Sequence, residues 1–256
     1  MVGVRTPDLD VRADLVVAAD GRKSTVRAAS GLQTANESSP MDVLWFRLNR
    51  RPGDPDETFA VLRRGMLLAM IHRGDYWQVA HLLPKGAGPQ NGSLEAFKER
   101  LVTARPQLRD HVNDLRSWDD TSHLDVRVDR LKTWWRPGLL CIGDAAHAMS
   151  PAGGVGINLA VADAVAAANI LVEPLRAGHV TDEDLAKVQR RRELPTKAVQ
   201  AFQVFVQNNV IKPVLTGDLS PIKLPFFVGR GPLKFIPPIA VGRGLRPERV
   251  HTPNVH

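Results

Sequence analysis

The sequence is poor in cysteine, in aromatic residues and in long apolar runs. Its 256 residues include one cysteine, Cys141, and one tyrosine, and aromatic residues make up 5% of the chain. A single cysteine excludes an internal disulfide, which suits a reducing compartment, so we expect a cytoplasmic protein. We find no secretory leader and no apolar run that predicts a transmembrane segment, and we predict no metal site.

The charge of the chain is positive, with 34 Lys and Arg against 27 Asp and Glu, a net charge of +7. This excess favours anionic ligands or solubility. The densest basic run, Gln189–Lys197, has a helical pattern without interleaved aromatic residues. It therefore indicates a solvated helix face, and we expect no nucleic-acid partner.

Strand-to-helix patterns lie near both ends of the sequence. Residues 13–21 predict a buried strand that ends in a tight turn at Asp20 and Gly21, followed by a short helix from about Ser24. Residues 139–142 predict a second buried strand, whose glycine-rich exit leads into a helix over about 155–171. A further helix is predicted from the Thr181 and Asp184 capping pair to about Phe205, with a kink at Pro195.

The middle of the chain predicts an antiparallel sheet. Alternating or apolar runs mark strands at 41–48, at 58–72 with a turn near Arg64 and Gly65, and at 75–83 and 123–131. Ser93 is expected to cap a helix that ends at about Ala104.

These patterns predict a mixed α/β fold in which a nucleotide-binding lobe carries an inserted sheet. The lobe is formed from residues 1–41 and 135–175, and the inserted sheet, a substrate domain, from 42–134. Residues 176–256 form a C-terminal helix and a tail that is extended from Pro213 onward.

The most informative stretch joins the second buried strand to its helix, with the sequence "GDAAHAMSPAGGVGIN" from Gly143 to Asn158. A helix start carries unpaired N–H groups and a partial positive charge, which favours phosphate or a ring oxygen that gains negative charge. Asp144, at the carboxyl end of the strand, can accept hydrogen bonds from ligand hydroxyls such as those of ribose or ribitol. The alternative is an ordinary strand–loop–helix connection in which Asp144 only forms the turn.

This stretch resembles the second flavin motif of the FAD-dependent aromatic hydroxylases, the para-hydroxybenzoate hydroxylase type of monooxygenase. The family pattern is G-D-A-A-H, then a proline, then G-x-G-x-N. The stretch "DLVVAADGRKSTVR" resembles the Asp-Gly motif of the same family, and the two motifs occur in the family's order. The resemblance covers about residues 1–175.

The resemblance implies roles for individual residues. Asp144 would bind the ribitol of FAD, the Pro151 carbonyl would lie near the flavin face, and Asp20 and Gly21 would lie near the pyrophosphate and serve NAD(P)H. Arg22 would add positive charge. The residues implied to bind the cofactor are Asp20, Gly21, Arg22, Gly143, Asp144, Pro151, Gly153, Gly154, Val155, Gly156, Ile157 and Asn158.

Other polar residues near the motifs are open to two interpretations. Arg27 is a second cation for the pyrophosphate or a partner in a salt bridge. His147 and Asp163 are interpreted as structural residues, and no catalytic residue is assigned. The substrate would contact the middle sheet, where the candidates are Trp45, Arg47, Met70, Trp77 and His81, of which strand alternation turns only half inward.

One element of the family pattern is missing. The sequence has no G-x-G-x-x-G motif, the helix start that binds the FAD pyrophosphate. We therefore expect a truncated chain that needs an upstream βαβ segment. The function implied is an FAD-dependent monooxygenase that uses NAD(P)H and O₂ to hydroxylate a small aromatic or polyketide-like compound. The alternatives are a related flavin epoxidase, halogenase or reductase, or a fragment that binds no flavin alone.

Overall fold

The computed structural model describes residues 3–37, 39–88, 92–151, 154–217 and 246–251. The chain forms two compact units. The first contains the described residues within Met1–Ser38, Arg127–Gln203 and Leu224–His256, and the second those within Ser39–Val126 and Val204–Lys223. The predicted mixture of helix and sheet is confirmed. The assignment of a flavin lobe and a substrate domain to particular residue ranges stays a prediction.

The first unit is built around a short three-stranded sheet. Its strands, in spatial order, are β11 (Trp135–Arg136), β12 (Leu139–Cys141) and β3 (Val16–Ala18), and β12 pairs with β3 in parallel. The unit also contains two separate antiparallel pairs: β1 (Gly3–Arg5) with β2 (Asp10–Arg12), and β4 (Thr34–Glu37) with β10 (Val128–Leu131).

The helices of the first unit follow from local signals in the sequence. Helix α1 is Thr25–Ser30, and the side chain of Ser24 caps it by accepting a hydrogen bond from the Arg27 N–H. Helix α3, Gly156–Arg176, follows the glycine-rich stretch. Helix α4, Asp182–Val206, starts where Thr181 Oγ1 accepts from the Asp184 N–H and the Asp184 carboxylate accepts from the Thr181 N–H. This reciprocal pair is the predicted capping box.

The second unit is a five-stranded antiparallel sheet in the order β6-β7-β8-β5-β9. The strands are β5 (Met41–Asn49), β6 (Phe59–Arg63), β7 (Met66–His72), β8 (Tyr76–Pro84) and β9 (Thr121–Leu124). One face packs against α2, Leu94–Ala104, through a cluster of buried apolar side chains that includes Phe46, Leu68, Trp77 and Phe97. Alternation along β7 and the second half of β5 favours this register, because a slip of one residue would turn their apolar side chains outward.

The structure corrects two predictions about single elements. Residues 123–131 were expected to form one strand, but they form β9 and β10 in separate sheets. The chain breaks between them because Asp42 Oδ1 accepts a hydrogen bond from the Val126 N–H at 3.0 Å and the Val126 carbonyl accepts from Lys85 at 2.7 Å. Pro213 was expected to begin an extended tail, but it lies in α5, Lys212–Leu215, where proline fits the first turn. The remainder of the predicted tail at 218–245 and 252–256 lies outside the described residues.

Helix α3 is also longer than expected. It continues past residue 171 to Arg176, and its length and composition would allow it to cross a membrane. Core helices of soluble proteins can have the same length and composition. In α3, Leu159, Ala166 and Leu171 are buried within the protein. The absence of a transmembrane segment therefore stays a prediction, as does the kink at Pro195.

Candidate functional site

Two loops from distant parts of the sequence meet at one edge of the three-stranded sheet. In the parallel pair of β3 and β12, Val17 is opposite Leu140 and Ala18 is opposite Cys141. Both strands therefore end at the same edge, and the loops that begin at Asp20 and Gly143 emerge side by side. Ligands of open α/β sheets bind at this kind of edge.

The first loop holds a carboxylate at the start of α1. Asp20 is exposed, and its Oδ2 accepts a hydrogen bond from the Val26 N–H at 3.2 Å. Partial burial raises the pKa of Asp20, but hydrogen bonds from the Ser24 side chain and from backbone N–H groups outweigh it, so the pKa is lowered overall. Gly21 has φ of +83°, a backbone conformation that residues other than glycine rarely adopt. The loop thus presents an ionised carboxylate beside a tight glycine turn.

The second loop is a single 3-10 turn, Gly143–Ala145, which places Asp144 at the surface. Gly143 has φ of +57°, and a Cβ there would lie 3.0 Å from the Cβ of Ala160 on α3. Any larger residue would be strained and would press against the helix. The glycine thus allows α3 to pack closely behind Asp144.

An ion pair joins the two loops. Arg22 Nη2 lies 3.3 Å from Asp144 Oδ2, and the side chains are 29% and 30% exposed. The other terminal nitrogen, Nη1, is buried and finds no hydrogen-bond partner among the described residues. The pair therefore presents an acceptor carboxylate and an unsatisfied cationic donor in one place.

Arg27 connects the same loops from inside the protein. Its Nη1 donates to Asp129 Oδ1 and to the Ala145 carbonyl, each at 3.2 Å, and its Nη2 donates to the Arg22 carbonyl at 2.7 Å. The sequence left this residue open between a ligand contact and a salt bridge. The structure supports the second interpretation, because the side chain is largely buried and its guanidinium holds the two loops together.

A buried carboxylate on α3 supports the second loop. Asp163 is fully buried, and its Oδ2 accepts from the Gly143 N–H at 3.0 Å and lies 2.5 Å from His147 Nε2. Its Oδ1 accepts from Arg192 Nε at 3.0 Å. His147 is also buried, with its ring 4.9 Å from that of Trp134. These contacts agree with the structural roles expected for His147 and Asp163.

The glycine-rich stretch ends in the start of α3. The Gly154 N–H donates to the Pro151 carbonyl at 3.0 Å, and Gly154 has φ of +64° with open space where a Cβ would stand. Val155 is buried, Gly156 is the first residue of the helix, and the following Ile157 and Asn158 are exposed. Gly153 lies outside the described residues. The open approach to these first N–H groups is what a ligand at a helix start needs.

Sequence reasoning missed a polar stripe on α4. The run Gln189–Lys197 was expected to be solvated, but Arg192 and Thr196 are buried, as are Gln200 and Gln203. Gln200 Nε2 donates to the carbonyls of Asp129 and Ala148, at 3.0 and 3.3 Å, and Gln203 Nε2 donates to the Ser150 carbonyl at 2.8 Å. The spacing of these residues by three or four positions was a signal for one inward helix face.

The candidates on the middle sheet separate into two groups. Met70, Trp77 and His81 lie on the face that packs against α2 and are buried in that core. Trp45 and Arg47 lie on the opposite face, where with Tyr76, Gln78 and Ser122 they line an open cleft of about 380 Å³. The guanidinium carbon of Arg47 is 4.0 Å from the centre of the Tyr76 ring.

Comparison with known families shows the family of the chain. The FAD binding domain family matches residues 3–202. The chain belongs to this family. The resemblance inferred from the two motifs is thereby confirmed, and with it FAD as the cofactor of the family.

Several curated relatives are monooxygenases by name. The chain is 41% identical over 219 residues to 6-methylpretetramide 4-monooxygenase of Streptomyces rimosus, a match that covers 83% of this chain and 51% of that protein. It is 28% identical over 180 residues to kynurenine 3-monooxygenase of Stenotrophomonas maltophilia, covering 64% of this chain and 39% of that protein. The chain thus spans about half the length of the relatives it matches.

Solved structures confirm the fold. 2-Methyl-3-hydroxypyridine-5-carboxylic acid oxygenase matches with a TM-score of 0.69 and 23% identity, over 84% of this chain and 58% of that chain. PqsL, a probable FAD-dependent monooxygenase from Pseudomonas aeruginosa, matches with a TM-score of 0.67 and 20% identity, over 85% of this chain and 62% of that chain.

Proposed function

We propose that this chain provides the ribitol and flavin-ring part of the FAD site in a monooxygenase that hydroxylates an aromatic, polyketide-like compound. The observation that carries the proposal is the parallel pairing of β3 with β12, which brings the loops of Asp20 and Asp144 to one edge. The similarity to a 6-methylpretetramide 4-monooxygenase supports the substrate class.

The residues at this edge have the chemistry that FAD requires. Asp144 is half-exposed and can accept hydrogen bonds from ribitol hydroxyls. The first N–H groups of α3 point along the helix axis toward incoming negative charge, and Gly154 leaves the approach open. The unpaired Nη1 of Arg22 is a donor for an anionic oxygen of the cofactor. We propose the same residues here that the sequence predicted, with Gly153 assigned from the sequence only.

Bound FAD would supply the electron transfer and oxygen chemistry of the reaction. The protein's own residues would bind and orient it. The amides at the start of α3 would stabilise negative charge on the pyrimidine end of the ring, because they are fixed before the charge develops. The Asp20 and Gly21 turn would lie by the pyrophosphate and the path of NAD(P)H, the proposed reductant, with O₂ as the second co-substrate.

We further propose that Trp45 and Arg47 contact the substrate. Their cleft combines aromatic rings and the Arg47 guanidinium with the carboxylates of Asp119 and Asp120, groups suited to a planar compound that carries hydroxyl groups. A Trp45→Ala variant is expected to raise KM for such a compound and to leave FAD affinity unchanged.

A βαβ segment with a G-x-G-x-x-G motif would complete the FAD site. Two observations support this proposal. Strand β3 forms one edge of its sheet in the described residues. On α3, Ile157 is 76% and Val161 is 57% exposed, so one apolar helix face is uncovered. We expect the chain alone to retain no FAD through purification, because several charge-assisted bonds to the diphosphate are lacking.

The central experiment is the Asp144→Ala variant, measured by fluorescence titration of FAD with the chain mixed with such a βαβ segment. Losing the carboxylate is expected to weaken binding by about 1.5–3 kcal/mol, roughly 10- to 150-fold. Asp10→Ala is the matched control, since Asp10 pairs with Arg5 on an exposed hairpin of the same unit. Equal FAD affinity in both variants and the parent would disprove the role of Asp144.

A flavin reductase is the second candidate. The observation that favours it is the 27% identity over 193 residues to a digeranylgeranylglycerophospholipid reductase of Thermoplasma volcanium. The two candidates differ in the use of oxygen. A monooxygenase incorporates label from ¹⁸O₂ into its product, whereas a reductase oxidises NAD(P)H without incorporating it.

A further inference from the structure

Residues 246–251 form a short segment, here called the clasp, that is fastened to α3 and α4. Asn169 on α3 binds it twice: its Nδ2 donates to the Arg249 carbonyl at 2.8 Å, and its Oδ1 accepts from the His251 N–H at 3.2 Å. Arg246 has φ of +57°, which is uncommon for a residue with a side chain. The clasp is thus held in a defined conformation on the first unit.

The clasp contributes a carboxylate to the buried polar network of that unit. Glu248 is largely buried, and its Oε1 lies 2.7 Å from Arg191 Nε and 3.4 Å from Arg192 Nη1. Arg192 is 1% exposed and also donates to the Arg246 carbonyl at 3.1 Å. A buried guanidinium needs both compensating charge and acceptors, and Glu248 supplies part of each.

A continuous chain of hydrogen bonds leads from the clasp to the candidate flavin site. Glu248 contacts Arg192, whose Nε donates to Asp163 Oδ1, and Asp163 Oδ2 accepts from the Gly143 N–H. Gly143 is the residue directly before Asp144 and has the left-handed conformation described above. The orientation of the Asp163 carboxylate therefore determines where the Asp144 loop begins.

We infer that Glu248 is a positioning residue for Asp144, acting through Arg192, Asp163 and the Gly143 amide. It touches neither Asp144 nor the proposed cofactor position. Without the charge of Glu248, Arg192 has one carboxylate partner instead of two. Arg192 then pulls on Asp163, and the hydrogen bond from the Gly143 N–H to Asp163 weakens. The functional meaning of this inference rests on the proposed role of Asp144 in FAD binding.

The direct test is amide hydrogen exchange in the Glu248→Gln variant without any flavin. Exchange in a peptide covering 143–147 is expected to be about tenfold faster than in the parent, the effect of weakening a hydrogen bond to a charged group. Exchange in β5 and β8 and in β12 is expected to be unchanged. Unchanged exchange at 143–147, or equally faster exchange throughout the first unit, would overturn the inference.

Glu183→Gln is the matched control, because Glu183 forms an exposed ion pair with Arg190 on the same helix. It is expected to leave the 143–147 peptide as it is in the parent. If Glu248→Gln does not fold, Asn169→Ala provides the second variant, since it releases the clasp and leaves every charge in place. Faster exchange at 143–147 in Asn169→Ala supports the inference, and parent-like exchange overturns it.

A double-mutant cycle separates positioning from general support. With the βαβ segment present, Glu248→Gln is expected to lower FAD affinity about tenfold in the parent and not further in Asp144→Ala, because residues that act through one another are not additive. Additive losses would overturn the positioning role. If Asp144→Ala itself leaves FAD affinity unchanged, the proposed function fails, whereas the exchange experiment still decides the link between Glu248 and Gly143.

Discussion

The interior of each of the two units is stabilised by a different kind of interaction. In the second unit, short turns join β6 to β7 and β7 to β8, and a single sheet face packs on α2 through aromatic and aliphatic side chains such as Phe46, Trp77 and Phe97. In the first unit, segments distant in the sequence meet in short sheets: β3 pairs with β12, and β4 pairs with β10. Polar side chains with little exposure, Arg27, Asp163 and Arg192 among them, join those segments.

This difference has a physical consequence for the candidate site. Apolar packing is tolerant of direction, so it builds a stable sheet but fixes individual backbone groups loosely. Hydrogen bonds to a buried carboxylate or guanidinium have demanding geometry and large penalties when they are unmade. A unit that must hold Gly143 and Asp144 in defined positions therefore benefits from polar connections.

The largest expected effect comes from removing the central carboxylate of the first unit. Asp163→Ala leaves Arg192 buried with one fewer counter-charge and the Gly143 N–H without its acceptor. The loss should be about 3–5 kcal/mol in the free energy of unfolding, the cost of breaking a buried ion pair from one side. The measurement is amide hydrogen exchange as a function of denaturant. In the variant, β12 and α3 are expected to exchange faster than in the parent.

The reciprocal variant is Phe97→Ala in the second unit, which removes a buried ring that contacts Phe46, His81 and Trp118. Its cost should be similar, about 3–5 kcal/mol, but confined to exchange in the five-stranded sheet and α2. If Asp163→Ala speeds exchange in the five-stranded sheet as much as Phe97→Ala does, the contrast between the two units is wrong.

A pH effect of intermediate size is expected in the second unit. Burial, assisted by the positive charge of Arg100, lowers the pKa of His81 from 6.5 to about 4. The unfolded chain binds a proton below about pH 6.5 and the folded chain only below about pH 4. Stability should therefore fall as the pH decreases through this window, by up to about 3 kcal/mol. Urea unfolding at pH 7 and pH 4.5 measures it.

His81→Phe is the control for this pH effect. His81 stacks on Phe97 and its Nδ1 finds no partner among the described residues, so a phenyl ring replaces it without losing a hydrogen bond at that atom. The stability of the variant should depend less on pH between 6.5 and 4. A pH dependence equal to that of the parent would assign the effect to other groups.

The smallest effects should be the same in both units, because they are local. Ser24 caps α1 in the first unit and Ser93 caps α2 in the second, each accepting from the N–H three residues on. Replacing either serine with alanine should cost about 1 kcal/mol. Thermal unfolding of the two variants gives the comparison. A much larger loss for Ser24→Ala would mean that the hydrogen bond from the Ser24 side chain to Asp20 stabilises the fold as much as the cap does.

The sequence was sufficient for features that depend on neighbouring residues. The Ser24 and Ser93 caps, the Thr181 and Asp184 capping box and the turn between β6 and β7 lie where they were predicted. The two motifs, in their order, also predicted the family and its cofactor. These features are local, because the residues that determine them lie within a few positions of one another.

It was harder to predict which side chains of a strand or helix are buried and which are exposed. Trp45 and Trp77 looked alike in the sequence, yet only Trp77 is in the core, because the position of α2 decides which sheet face is covered. Arg192 looked like its exposed neighbours on a basic helix. Its burial depends on Asp163, 29 residues earlier, and on Glu248, 56 residues later.

The amino-acid sequence by itself determined the helix starts, the turns, most of the strands and the chemistry available at Asp20 and Asp144. Only the tertiary structure decided that β3 pairs with β12, that Arg22 meets Asp144 and that Asp163 holds Gly143. The reason is that capping and turn formation depend on bonds across a few residues. A buried charge instead selects its partners among all the groups that packing brings within about 3 Å, and that choice is made only when the whole unit folds.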